Sequence, residues 1–334
     1  MDARRLYFTE PGAVDIRTES LAAPTGEELL VETLASGVSA GSELLVYRGE
    51  FPQDLPVDET IDALDGSFEY PLAYGYAAVG EVIDAGPDAD GWVGRRVFAF
   101  EPHADRFLTT PDAAVPLPDD TRTDAATLLP TVETATNLVL DGHPRIGERV
   151  VVFGAGPVGL CTTHALADFP LERLAVVEPI PARREVAREL GADAVVPPAE
   201  ADELFAAADP PGADLVYELS GRPATLDAAI DAVGYDGRVV VGSWYGSKRA
   251  PVDLGGSFHR DRIDLISSQV STVSPALRGR FDTDRRFEVT FDRLRRLDAR
   301  SLTTHRVPFS DAAAAYRRLD SREGDPLHLV FTYR

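Results

Sequence analysis

The turn Gly154-Ala155-Gly156-Pro157-Val158-Gly159 stands between an apolar run, Arg149–Phe153, and a helical stretch, Val158–Phe169. G-x-G-x-x-G between strand and helix suits the pyrophosphate of a dinucleotide. Gly154 permits the tight turn, Gly156 lets the backbone approach the phosphates, and Gly159 lets helix and strand pack closely. The helix N-terminus, with Pro157 and Val158, offers N–H groups and the positive end of its dipole. Glu178 closes the next apolar run, Arg173–Val177. A carboxylate there accepts hydrogen bonds from ribose hydroxyls and repels a 2′-phosphate, which favours NAD over NADP. Arg183 and Arg184 lie close enough to receive such a phosphate, so NADP is the second choice. Ser220-Gly221 and Gly242-Ser243 follow two further apolar runs and should line the same crevice. The Tyr-x-x-x-Lys pair of short-chain dehydrogenases is excluded, because Tyr245 precedes the only lysine, Lys248, by three positions.

These residues need a particular scaffold. Strand runs Arg149–Phe153, Arg173–Val177, Ala194–Val196, Asp214–Glu218, Arg238–Gly242 and Asp264–Ser271 alternate with helical runs such as Ala182–Leu190 and Ala224–Val233. That order predicts an α/β fold, a doubly wound parallel sheet of Rossmann type covered on both faces. Before it, short strands such as Glu28–Leu34, Ala77–Ile83 and Arg95–Ala99 predict a β-rich region, and Thr123–Leu140 reads as one helix. After it come helices at Asp284–Leu297 and Ser310–Leu319 and a strand at Leu327–Tyr333. The expected division is a β-rich catalytic domain (1–122), a dinucleotide domain (123–272) and a return to the first domain (273–334).

With 334 residues, 44% of them hydrophobic, the chain is long enough for two packed domains. Its net charge of −22 argues against nucleic acid and anionic membranes as partners. A dispersed acidic surface with one lysine resembles proteins of salt-loving organisms. The start lacks the apolar core of a signal peptide and no run is long enough to span a bilayer, so a cytoplasmic location is expected. The sole cysteine, Cys161, supports neither a disulfide nor a zinc cage.

Leu34–Leu44 (LASGVSAGSEL), Pro71–Glu81 (PLAYGYAAVGE), Gly147–Leu160 and Ala213–Gly242 together resemble the medium-chain dehydrogenase/reductase superfamily, with a GroES-like β domain around the inserted nucleotide domain. The run Ser36–Glu43 resembles the bacteriochlorophyllide dehydrogenase-like branch, a likeness of lineage more than of substrate. The sequence departs from the zinc members. Ser39 stands where they carry a cysteine ligand, Gly75-Tyr76-Ala77 replaces their Gly-His-Glu, Pro130 falls near the third ligand position, and the four-cysteine lobe is missing. The expectation is therefore no catalytic zinc.

The resemblance implies that Tyr76 faces the nicotinamide, where its hydroxyl can support a developing alkoxide or simply pack beside the cofactor. Ser39 and Ser42 can bond the substrate or cap a helix. His103 is a candidate general acid or a structural histidine. Glu133 is a candidate base or a helix N-terminal carboxylate. Trp244, Tyr245, Phe258, His259, Arg260 and Arg262 could wall a planar or anionic small molecule, or form an interface; the resemblance favours a homodimer or homotetramer through Asp264–Ser271. The reading is a zinc-independent NAD-dependent oxidoreductase acting on an alcohol, carbonyl or activated alkene; the alternative is a dinucleotide-binding protein without catalysis. A methyltransferase fits poorly, because the β-rich preface and returning tail have no place in it.

Overall fold

An uninterrupted apolar strand such as Val150–Phe153 must be covered on both faces. In the computed structural model, which describes residues 1–58 and 60–333, every residue of this strand is buried near the centre of a parallel sheet. The chain begins with strands β1 (Asp2–Glu10), β2 (Ala13–Ser20) and β3 (Leu29–Val38), helix α1 (Ala40–Arg48), strands β4 (Ala78–Ala85), β5 (Arg96–Ala99), β6 (Arg106–Thr109) and β7 (Ala114–Pro116), and helix α2 (Thr123–Ala126). Then follow α3 (Leu129–Gly142), β8 (Arg149–Phe153), α4 (Pro157–Leu166), β9 (Arg173–Val177), α5 (Pro181–Glu189), β10 (Ala194–Val196), β11 (Ala213–Glu218), α6 (Thr225–Asp231), β12 (Val233–Val241), α7 (Ser257–Arg260), β13 (Asp264–Ser267) and α8 (Thr283–Arg296). The tail holds α9 (Ala299–Leu302), β14 (Thr303–Pro308), α10 (Ala312–Ser321) and β15 (His328–Thr332).

Two compact units result: Met1–Pro130 with Asp298–Arg334, and Thr131–Leu297. The second is a doubly wound sheet of six parallel strands in the order β10-β9-β8-β11-β12-β13. Its order reverses between β8 and β11, so a ligand crevice lies beyond the C-terminal ends of those two strands. Val151, Phe153, Val177, Val216, Ile230 and Val239 pack its core. The first unit is β-rich. Its larger sheet runs β14-β15-β3-β4-β5-β7, with β6 on β3 as well, and β1 and β2 form a separate hairpin. Strand β15 pairs antiparallel with β3, Val330 opposite Gly37, which brings the tail back into this unit. No described helix is long and apolar enough to cross a membrane.

Two boundaries differ from the expected ones. The single helix expected at Thr123–Leu140 is two, because Pro130 is accommodated only in a first turn, and the helix restarts at Leu129. Residues 273–297, expected with the returning tail, belong to the parallel unit. Arg286 of α8 is buried there and bonds to Glu133 and Asn137 of α3, which binds α8 to that unit.

Candidate cofactor and catalytic sites

In the parallel unit the chain leaves β8 at Gly154 with φ of 101°, a conformation that favours glycine. A Cβ there would stand 2.7 Å from the Leu219 carbonyl oxygen, so the turns after β8 and β11 touch. A Cβ on Gly159 would stand 1.9 Å from the Gly154 oxygen, which is the close packing expected of the third glycine. Gly156, by contrast, has nothing within 4 Å of that position. Open space thus adjoins the start of α4, where Pro157 occupies the first turn and the N–H groups of Val158 and Gly159 have no intrahelical partner. This cradle fits a pyrophosphate.

Glu178 directly follows β9 and is buried. Its Oε2 accepts the Ala155 N–H at 2.7 Å, and its Oε1 accepts the Ile180 N–H at 2.9 Å. The carboxylate thereby braces the glycine turn, and its remaining lone pairs can still receive hydroxyls. Arg183 and Arg184 lie in the first turn of α5; Arg184 Nη1 donates to the carbonyls of Glu178 and Pro179.

At the ends of β11 and β12 a second set of bonds joins two turns. Gly221 N–H donates to Ser243 Oγ at 2.9 Å, and Lys248 Nζ donates to the Gly221 carbonyl at 2.8 Å. Glu218, which the sequence reading did not select, is fully buried, and its carboxylate accepts from Ser220 N–H at 2.9 Å, from the Ser220 hydroxyl and from Tyr245 OH. A carboxylate ending an apolar strand was the available signal. Gly242 serves packing, since a Cβ there would meet Leu138 at 2.5 Å and Leu219 at 2.7 Å.

In the β-rich unit Ser42 is brought against Tyr76, with the Ser39 carbonyl accepting from the Ser42 hydroxyl at 3.2 Å. Ser42 Oγ lies 2.7 Å from Tyr76 OH. Burial of the phenol oxygen raises the Tyr76 pKa, while nearby serine hydroxyls, Ser42 in hydrogen-bond contact among them, pull it down. The Tyr74 ring meets Tyr76 edge-on at 6.0 Å. Upstream of β6, burial pushes Glu101 up to about 7, opposed by Arg5; as a loop carboxylate it gave no sequence signal.

Two candidate residues are placed away from chemistry. His103 is fully buried, with Nδ1 2.6 Å from Ser36 Oγ and Nε2 3.1 Å from Glu43 Oε2. The Gly75 backbone covers one side of its ring and Phe331 meets it edge-on at 5.1 Å. With both nitrogens engaged inside the unit, it cannot act as a general acid on a substrate. Glu133 is buried too, and its Oε1 accepts from Arg286 Nη2 at 2.8 Å and Nε at 3.1 Å. It ties α3 to α8 and is not a base; burial raises its pKa against the pull of the arginine. The aromatic and basic residues after β12 do not form one wall. Tyr245 turns to Glu218, Phe258 packs on the core, Arg262 pairs with Asp236, and Trp244, His259 and Arg260 are exposed. Cys161 is buried and its thiol is pushed up to about 12, so it is no nucleophile.

Among the described residues no group of three His, Cys, Asp or Glu side chains is arranged to hold a metal ion.

Comparison with known proteins places these features in context. The zinc-binding dehydrogenase family matches residues 157–283. (R,R)-butanediol dehydrogenase of Bacillus subtilis is 26% identical over 72% of this chain and 78% of its own length. The 2-desacetyl-2-hydroxyethyl bacteriochlorophyllide A dehydrogenase of Cereibacter sphaeroides is 24% identical over 100% of this chain and 99% of its own. Two solved structures share the fold. An alcohol dehydrogenase from E. coli CFT073 complexed with NADH has a TM-score of 0.80 at 19% identity over 99% of both chains. A zinc-binding dehydrogenase from Sinorhizobium meliloti bound to NADP has a TM-score of 0.79 at 17% identity over 100% of both. Dehydrogenases thus align along the whole length of this sequence, and the protein is an enzyme of dehydrogenase type, similar to the medium-chain, zinc-type alcohol dehydrogenases.

Proposed function

We propose that the enzyme moves a hydride between NAD and an alcohol or carbonyl substrate without a catalytic zinc, an activated alkene being the second substrate class. The observation that carries this reading is the Tyr76–Ser42 contact of 2.7 Å. By resemblance, Ser39 and Tyr76 stand at positions where the zinc members carry ligands, and Ser39, Tyr76 and Ala77 are not a zinc donor set. When bound, the nicotinamide ring supplies or accepts the hydride. The chain's own share is polar. Tyr76, kept protonated at neutral pH by its raised pKa, donates to the oxygen that gains or loses charge. Ser39 and Ser42 orient that phenol and stabilise it as its proton moves.

Gly156, Pro157, Val158 and Gly159 would hold the pyrophosphate, and Glu178 the adenosine ribose. A buried carboxylate at that place disfavours a 2′-phosphate, which is why NAD is preferred; Arg183 keeps NADP as the second reading. Relatives of the fold bind either, which supports a nicotinamide cofactor and leaves the choice to Glu178. Self-association is proposed along β13, an edge strand of its sheet with Leu265 exposed. Because the acidic surface suits high salt, assays belong in molar KCl as well as dilute buffer.

Titration with NADH and NADPH, followed by nicotinamide fluorescence, tests the cofactor. Tighter NADH binding is expected, and absence of binding to both defeats the reading. A turnover screen of alcohols, ketones and quinones on protein assayed for zinc tests the rest. Stoichiometric zinc overturns the metal-free mechanism; binding without turnover of any compound favours a catalytically silent binder.

A further inference from the structure

A line of hydrogen bonds crosses the interior of the β-rich unit. Tyr333 OH lies 2.7 Å from Ser36 Oγ, which lies 2.6 Å from His103 Nδ1. His103 Nε2 lies 3.1 Å from Glu43 Oε2, and Tyr316 OH donates to the same oxygen. Glu43 Oε1 accepts the Ser39 N–H at 2.7 Å. Ser36, Glu43, His103 and Tyr316 are all fully buried. With the His103 proton assigned to Nε2, every link is satisfied: Tyr333 donates to Ser36, Ser36 to His103, and His103, Tyr316 and the Ser39 amide to Glu43.

A buried carboxylate needs such partners, so the line could serve stability alone. The start of α1 points further. Ser39 is the residue before the helix, where a serine side chain normally caps the exposed amides. Here its side chain makes no capping bond. Glu43 reaches back to the Ser39 N–H, and the Ser42 hydroxyl lies between the Ser39 carbonyl, at 3.2 Å, and the Tyr76 hydroxyl, at 2.7 Å. Nor can the line conduct a proton into the hydroxyl cluster, because its last link is a backbone amide. It can only hold that amide in place.

We propose that Glu43 is a positioning residue. Fixed from behind by His103 and Tyr316, it grips the Ser39 amide, holds the first turn of α1 in place, and so sets Ser42 against the Tyr76 phenol. The consequence for turnover rests on the proposed catalytic role of Tyr76; the geometric claim does not.

The test compares crystal structures, NADH affinity and steady-state kinetics of Glu43→Ala and Glu43→Gln with those of the wild type, using the best substrate found in the screen. In Glu43→Ala, the first turn of α1 should shift and Ser42 Oγ should leave hydrogen-bond reach of Tyr76 OH, beyond about 3.5 Å. The kcat should fall about 10- to 100-fold while the NADH dissociation constant stays within twofold. Glu43→Gln, which keeps an acceptor for Ser39 but cannot receive both His103 and Tyr316, should fall between. Should Glu43→Ala fail to fold, Glu43→Gln with Tyr316→Phe carries the same comparison. An unchanged Ser42–Tyr76 distance overturns the proposal, as does a parallel loss of kcat and NADH affinity. A wild type without turnover defeats the catalytic reading, and the crystal structures then decide the positioning claim alone.

Discussion

Glu178 Oε2 accepts the Ala155 amide at 2.7 Å, so the carboxylate expected to meet the ribose also fastens the turn expected to meet the phosphates. One residue therefore joins the two halves of the dinucleotide site. Glu178→Ala should weaken NADH binding more than loss of a ribose contact alone, by about 10- to 100-fold. The NADPH to NADH affinity ratio should rise at the same time. Isotherms for both nucleotides check this; an unchanged ratio would remove Glu178 from the discrimination.

Tyr76→Phe deletes one hydroxyl and retains the ring that Tyr74 meets edge-on. A loss in kcat of about 100-fold or more is expected, with NADH affinity unaffected. Stopped-flow hydride transfer at saturating nucleotide measures it directly. A kcat within threefold of wild type would reduce Tyr76 to packing.

The Glu133–Arg286 pair is buried at both ends. Removing one partner leaves an uncompensated charge inside the parallel unit, at a cost of about 3–5 kcal/mol. Glu133→Gln and Arg286→Met should each lower the thermal midpoint, and Glu133→Leu combined with Arg286→Met should recover much of it. If Glu133→Gln left the melting temperature alone and abolished turnover, the helix-tie assignment would fail.

Glu101 has its pKa raised to about 7 by burial. Its neutral form is therefore favoured in the folded chain relative to the unfolded one. The resulting stability is present below the unfolded value near 4.5 and lost as pH rises through about 7. Glu101→Gln should be nearly neutral at pH 4 and stabilising at pH 8. Melting curves at the two pH values test the sign, and equal shifts at both would refute it.

The parallel sheet and its glycine turn were legible because their signals are local. Gly154, Gly156 and Gly159 carry their geometry in their spacing, and Glu178 and Ser220 follow from where apolar strands stop. The catalytic half depends on contacts distant in sequence. His103 reads as a general acid until Ser36 and Glu43, from β3 and α1, are seen to take both its nitrogens. Glu133 sits beside the expected ligand position, yet its partner is 153 residues away. Charge and spacing suggested what these side chains can do, and only tertiary packing decided which of them are committed elsewhere.

Strand β15 occupies an interior place, between β14 and β3, and is synthesised long after β3. Until residues 328–332 are made, the Ala35–Val38 half of β3 offers an unpaired edge that can recruit other chains. The parallel unit, whose strands all lie between residues 149 and 267, can close earlier in synthesis. The β-rich unit is therefore the late-maturing part, and stop codons or adducts within β15 should yield aggregation-prone chains even though the parallel unit is intact.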